Sequence, residues 1–294
     1  MTKSTTPART LTATDGIEIA VYEAGPPEGP TVVLIHGYPD DHHVWDGVVT
    51  LLADRFHVVT YDVRGAGNSG RPKNTAAYRI SQLIEDLHTV LATTAPDGAH
   101  VLAHDWGSIC VWEAVTDPRF ATGIHSLTSI SGPSLDMLGV WMRRVRHHPR
   151  AIAAQLRRSA YTLAFQLPVV PELAVKAGLV ARVVAASSRP GEPAGTPAHT
   201  VTVGDAVDGI GLYRANLARR VLRPRPRSTV IPVLVLAPVD DVNISVAAQT
   251  EPPAPFAANL RTQQIEGNHW VITQRPAVVA ERFTTFIDDL AGSR

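Results

Sequence analysis

One carboxylate stands where a carboxylate is costly. The run VLAHDWGSIC, residues 101–110, reads as the end of a buried strand, stops at His104-Asp105-Trp106-Gly107, and turns apolar again. An unpaired charge at such a position costs on the order of several kcal/mol, so Asp105 is either neutralised by its neighbours or placed there to react. Ala103-x-Asp105-x-Gly107 between a strand and a helix is the pattern of a sharp turn that throws its central side chain above the sheet edge. The N–H groups and dipole of the following helix would favour an ionised Asp105. The plainer reading is that Asp105 only caps that helix. Two more sites bear on the choice. HGYPD, residues 36–40, follows an early strand, and the backbone N–H groups of Tyr38 and Trp106 could together face an oxyanion; a plain Gly-Pro turn is the alternative. EGNHW sets His269 just after the last strand, and APVDDVNIS sets Asp240 and Asp241 after the strand before it. A histidine oriented by an acid is a general base. Asp241 is preferred as that acid, because Ile244 would re-enter the core behind it; Asp240 remains the alternative.

The elements that must hold these residues alternate. TVVLIHG (31–37), FHVVTYDVRG (56–65), HVLAHD (100–105), IHSLTSIS (124–131), VIPVLVLAP (230–238) and LRTQQIEG (260–267) read as strands, with helical patterns near 43–54, 78–93, 107–117 and 276–291. Near-continuous apolar strands between helices predict a mostly parallel sheet with helices on both faces. LTATDGIEIAVYEAG predicts two antiparallel edge strands around Asp15-Gly16. The alternation breaks over 134–228, a helical, arginine-rich insertion containing the loop 187–200 and ending in RPRPRS (223–228), a stiff return to the next strand. This predicts a core domain of residues 1–133 and 229–294 carrying a helical cap, or lid, of residues 134–228.

Bulk composition excludes several classes. The chain has 294 residues, 45% hydrophobic and 18% charged, with formal net charge zero, which gives no nucleic-acid signature. The lid, however, holds fifteen Arg and Lys against five Asp and Glu, leaving the rest of the chain at −10. That asymmetry fits an arginine face docked on an acidic body, or steering of anionic and amphipathic substrates. The single cysteine, Cys110, excludes a disulfide framework and a cysteine-rich zinc site. HH at 42–43 and 147–148 lacks companions at metal spacing, and RGAGNSG (64–70) reads as a structural loop rather than a phosphate cradle. No apolar run reaches the length of a membrane span and no secretory pattern is seen, so the expected compartment is the cytoplasm.

HGYPD, YDVRGAGNSGRP, AHDWGS, GNHW and the helical insertion together resemble the α/β-hydrolase superfamily, in its epoxide hydrolase and haloalkane dehalogenase branch, over nearly the whole chain. The order nucleophile, acid, histidine is that fold's template. An aspartate at the elbow, followed by Trp-Gly, is specific to this branch, where most of the superfamily carries serine. The resemblance implies attack by Asp105 on saturated carbon and hydrolysis of the resulting ester by a water that His269 and Asp241 activate. Tyr161, in SAYTLAFQLP, and Tyr213, in GLYRANL, are similar in context to the paired ring-opening tyrosines of epoxide hydrolases. Dehalogenases tend to carry asparagine where Tyr38 stands. The departures are Ala103 and Ser108 in place of glycines, and LAP before Asp240 where LWG is frequent, which leaves the acid's register open. The expected activity is therefore hydrolysis of a hydrophobic epoxide to a vicinal diol by an ether hydrolase of detoxifying type, with no cofactor and no metal. A homodimer is left open. The rivals are a haloalkane-type dehalogenase and a non-catalytic ligand-binding protein. LAFQLPVVPEL and LAVKAGLVARVV in the lid are expected to line an apolar pocket.

Overall fold

The chain enters through a hairpin. Arg9–Thr12 (β1) pairs antiparallel with Glu18–Ala24 (β2), and Gly16 makes the turn at φ +85°, a conformation open to glycine. Thr31–Ile35 (β3), His57–Tyr61 (β4), Ala99–His104 (β5), Ile124–Ile130 (β6), Val233–Pro238 (β7) and Leu260–Ile265 (β8) complete the sheet among the described residues, which are 6–188 and 200–292 of this computed structural model. The spatial order is β1-β2-β4-β3-β5-β6-β7-β8, and every pairing from β4 to β8 is parallel. This is the mostly parallel sheet that the alternating pattern predicts, in the α/β-hydrolase fold that the resemblance implies.

Period-two patterning sorts the core onto two faces. Val33 and Ile35 of β3 join the helices Ile80–Thr94 and Trp106–Val115 on one face; Val32 and Leu34 join Asp46–Leu52 and Pro276–Gly292 on the other. Trp106–Val115 is buried at all ten positions, so it is a central helix with no solvent side. Its approach is close. A Cβ at Gly107 would lie 2.5 Å from the His36 carbonyl oxygen and 2.6 Å from that of Ile35, so only glycine fits. Ser108, the other small residue of the turn, bonds Ser129 Oγ and the Gly132 carbonyl, both at 2.7 Å.

Three expectations shift. The strand expected over 56–65 ends at Tyr61, because the buried Asp62 carboxylate gathers the His42 and Asn68 N–H groups and turns the chain. The helix expected over 43–54 is a single 3-10 turn, His42–Trp45, followed by Asp46–Leu52, with Asp41 capping the turn. The last strand, expected over 260–267, ends at Ile265 and is the sheet's open edge; Arg261, Thr262 and Gln264 are exposed on it, as suits an edge that resists pairing.

Between β6 and β7 the described residues form seven helices, from Leu135–Met142 to Ile210–Leu222. Most of the loop expected at 187–200 lies outside the described residues. The segment shares its apolar packing with the body: Phe165, Val175 and Tyr213 belong to the same cluster as Val101 and Val111, and Leu138, Trp141 and Ile152 form a smaller one with Ala248. Two of its arginines do dock on the body. Arg220 binds the buried Glu113 of the body together with Asp136 of the segment itself, and Arg227 binds Asp117. In the reverse sense, Arg71 of the body binds Asp205 and Asp208 of the segment, both at 2.6 Å.

RGAGNSG is structural, as its sequence suggests. Arg64 is fully buried and grips Asp86 with two bonds of 2.6 Å while its Nη1 reaches Asp15 at 2.7 Å. Removing one partner of a buried pair strands the other's charge. We therefore expect Arg64→Met to lower unfolding free energy by about 3–5 kcal/mol in urea titration; a loss under about 1 kcal/mol would show that Asp86 finds compensation elsewhere.

Candidate active site

Asp105 follows β5 with φ +50° and ψ −123°, a sparsely populated conformation for a non-glycine residue. Its side chain makes no capping bond to the second or third residue of its own helix, as a plain N-cap would. Instead Oδ1 accepts the Tyr38 N–H at 2.8 Å, and the Trp106 N–H also bonds the carboxylate. Both N–H groups expected to face an oxyanion thus face an oxygen of Asp105 itself. Gly37 makes room, since a Cβ there would fall 2.4 Å from Oδ1.

The other carboxylate oxygen, Oδ2, lies 3.6 Å from Nε2 of His269. His269 Nδ1 is 3.0 Å from Asp241 Oδ2. Asp241 Oδ1 accepts the N–H groups of Asn243 and Ile244 at 2.8 and 2.9 Å, the inward turn expected from Ile244. Asp240 is exposed and points away, its N–H bonding the Gly267 carbonyl, so of the adjacent pair only Asp241 meets the histidine.

Burial and charge compete across these three groups. Burial pushes the Asp105 carboxyl up to about 6, against the pull of His269 and the two N–H groups toward its ionised form. The helix-terminus N–H thus favours the ionised form, as expected, but desolvation outweighs it. Burial would lower His269, but Asp241 first and then Asp105 raise it to about 9. Burial would raise Asp241, yet His269 and the N–H of Ile244 hold it below the usual carboxylate range.

Tyr161 and Tyr213 line the same cavity as Asp105 and His269, a space of about 310 Å³ with a largely apolar wall that includes Phe165 and Val184. A hydrogen bond joins the two phenols, whose ring centroids are 6.3 Å apart. Tyr213 is buried, and burial holds its phenol well above the ordinary value, so it is protonated. Trp106 packs edge-on against Tyr213 at 4.9 Å. The Tyr38 ring does likewise at 5.2 Å, and its hydroxyl donates to the Ala206 carbonyl at 3.0 Å, tying the HGYPD turn to the helical segment.

Two supporting residues escaped the sequence reading. His104 is buried, is driven down to about 3 by burial and by the His269 charge, and places Nε2 2.8 Å from the His269 carbonyl. Asp40 accepts the Trp270 indole N–H at 3.1 Å, fixing the residue beside His269. Both stand inside quoted motifs, HGYPD and AHDWGS, and that adjacency is the only signal the sequence offers for them.

Known proteins agree with this frame. The family model for the alpha/beta hydrolase fold matches residues 30–160. The chain is 36% identical over 300 residues to "Probable oxidoreductase EphD" of Mycobacterium tuberculosis, covering 96% of this chain but 49% of that protein, so it spans about half the length of that relative. It is 25% identical over 289 residues to "Epoxide hydrolase 3" of Mus musculus, covering 94% of this chain and 76% of the relative. A crystal structure of a mutant epoxide hydrolase from Bacillus megaterium, complexed with a naphthyloxy-propanediol product, superposes with a TM-score of 0.78 at 20% identity, over 95% of this chain and 100% of that one. Fold, family match and relatives converge: the chain belongs to the α/β-hydrolase superfamily, with epoxide hydrolases among its relatives.

Proposed function

We propose that this protein hydrolyses epoxides to vicinal diols through an alkyl ester on Asp105. The observation that carries the reading is one cavity faced by a carboxylate and two phenols. A carboxylate is a poor acylating nucleophile but a competent one at saturated carbon, and a strained ring oxygen needs a proton as it leaves. Tyr161 and Tyr213 would donate to that oxygen while Oδ2 of Asp105 attacks one ring carbon and the C–O bond breaks. Oδ1 then becomes the ester carbonyl, already held by the Tyr38 and Trp106 N–H groups, so these stabilise the oxyanion of the second step. His269, oriented by Asp241, takes a proton from water as that water attacks the carbonyl. Residues 134–228 act as a lid over a core of residues 1–133 and 229–294. The substrate is a hydrophobic small molecule.

The two steps make opposite demands on His269, and one event reconciles them. Asp105 is among the groups that raise it. Alkylation removes that negative charge, so His269 drops toward neutrality when a base is required.

The dehalogenase reading has less support. Halide needs N–H donors and no acid, yet Trp270, which lines the cavity, has its indole N–H engaged by Asp40. A non-catalytic binder would have no use for the complete set of nucleophile, acid, histidine and tyrosines. The oxidoreductase in the name of the longer relative belongs to a protein of which this chain matches 49%.

His269→Gln is expected to accumulate the ester: intact mass rises by one epoxide, and diol release falls by a factor of about 10² or more. Tyr161→Phe with Tyr213→Phe should instead block the first step and leave the mass unchanged. Adduct in neither variant, with no diol from the parent protein across a broad epoxide panel, would reject the reading. A second expectation concerns acid. Attack requires ionised Asp105, so kcat/KM should fall below pH about 6, to roughly a tenth of its plateau at about pH 5; a flat profile down to about pH 4 would contradict an Asp105 held high by burial.

A further inference from the structure

The cavity opens among residues that ordinarily would be covered. Tyr161, Val170, Leu179 and Val183 line it and are each at least 40% exposed. Around them, on the same short helices and their links, Leu163, Val169 and Leu173 are 71%, 62% and 60% exposed without lining it. The sequence reading assigned all of this apolar length to the pocket; half of it faces outward. Large side chains clustered around a cavity mouth mark a contact surface.

The stretch of chain that carries this mouth is strongly basic. Residues 143–188 carry eight Arg and Lys and one acidic residue, Glu172. Among the described residues, Arg146, Arg150, Arg157, Arg158 and Arg182 form no salt bridge, unlike Arg220 and Arg227, which dock on the body. A self-complementary dimer through this face would set these arginines against their own copies. A partner with an apolar interior and a negative surface suits both features, and a bilayer of anionic phospholipid has both.

We propose that this face docks on an anionic phospholipid membrane, so that the cavity takes amphiphilic molecules directly from the bilayer. Docking is peripheral, since no described helix is long and apolar enough to cross a membrane. Leu163, Leu173 and their neighbours enter the headgroup boundary while the arginines pair with lipid phosphates. This stands apart from the epoxide reading, because vesicle binding is measured without turnover.

The test is sedimentation of the full chain with vesicles of phosphatidylcholine alone, or with about one-third phosphatidylglycerol. The protein should sediment with the mixed vesicles, not with the neutral ones, and salt near 0.5 M should release it, ~0.5 M being enough to screen surface charge. Arg157→Gln with Arg158→Gln should weaken binding roughly 25-fold, about fivefold per arginine. Leu163→Asp with Leu173→Asp should abolish it, with thermal melting unchanged in both variants because all four side chains lie at the surface. Failure to bind anionic vesicles overturns the proposal, as does equal binding to neutral ones. Self-association abolished by Leu163→Asp with Leu173→Asp, without vesicle binding, would assign the face to a second copy and overturn it too.

Discussion

A carboxylate buried between two backbone N–H groups and a protonated histidine is the constraint on which this structure turns. Asp105 must be desolvated enough to be reactive and stabilised enough to be charged. Desolvation alone would neutralise it. The Tyr38 N–H at 2.8 Å and the His269 cation restore part of what burial removes, and the carboxyl settles near 6. Much of the surrounding architecture follows. Gly37 and Gly107 exist as glycines because the HGYPD turn and the central helix must approach the strand end within distances that exclude a Cβ. The turn's φ of +50° is tolerated because the helix behind it is buried on every side and cannot relax outward.

The same balance links the site to the helical segment above it. Tyr213 sits on Ile210–Leu222, the helix that also carries Arg220 into the buried pair of Glu113 and Asp136. Glu113 is on the helix that begins beside Asp105. One ion-paired group therefore fixes how the phenol stands relative to the carboxylate. Charge and position are set by one set of contacts, so a substitution at Arg220 would move a reacting group it never touches.

What could be read from the sequence is what short-range geometry encodes. The elbow was legible because Ala103, Asp105 and Gly107 are constrained by one turn, and the sheet because short, largely β-branched apolar strands alternate with helical patterns. The acid was legible only to within one residue. Asp240 and Asp241 are chemically identical neighbours, and what separates them is which carboxylate points into the protein, decided by contacts with Asn243, Ile244 and a histidine 28 positions away. The two tyrosines were found by resemblance, since nothing local to Tyr161 or Tyr213 signals that both face Asp105. His104 was overlooked because its partner, the His269 carbonyl, is 165 residues distant. The outward face of the helical segment was misread for a related reason: apolar residues that line a cavity and those that surround its mouth look alike until the backbone places them.

The central claim is that Asp105 becomes covalently bonded and that water later enters through its own carbonyl. One turnover in heavy-oxygen water, with protein in excess over a reactive epoxide, measures this directly. The account predicts that the first diol carries no label and that the heavy oxygen appears in the Asp105 carboxylate, located by peptide mass spectrometry. Label in the first diol, with none in the peptide containing Asp105, would mean that water attacks the epoxide itself and that Asp105 is not the nucleophile.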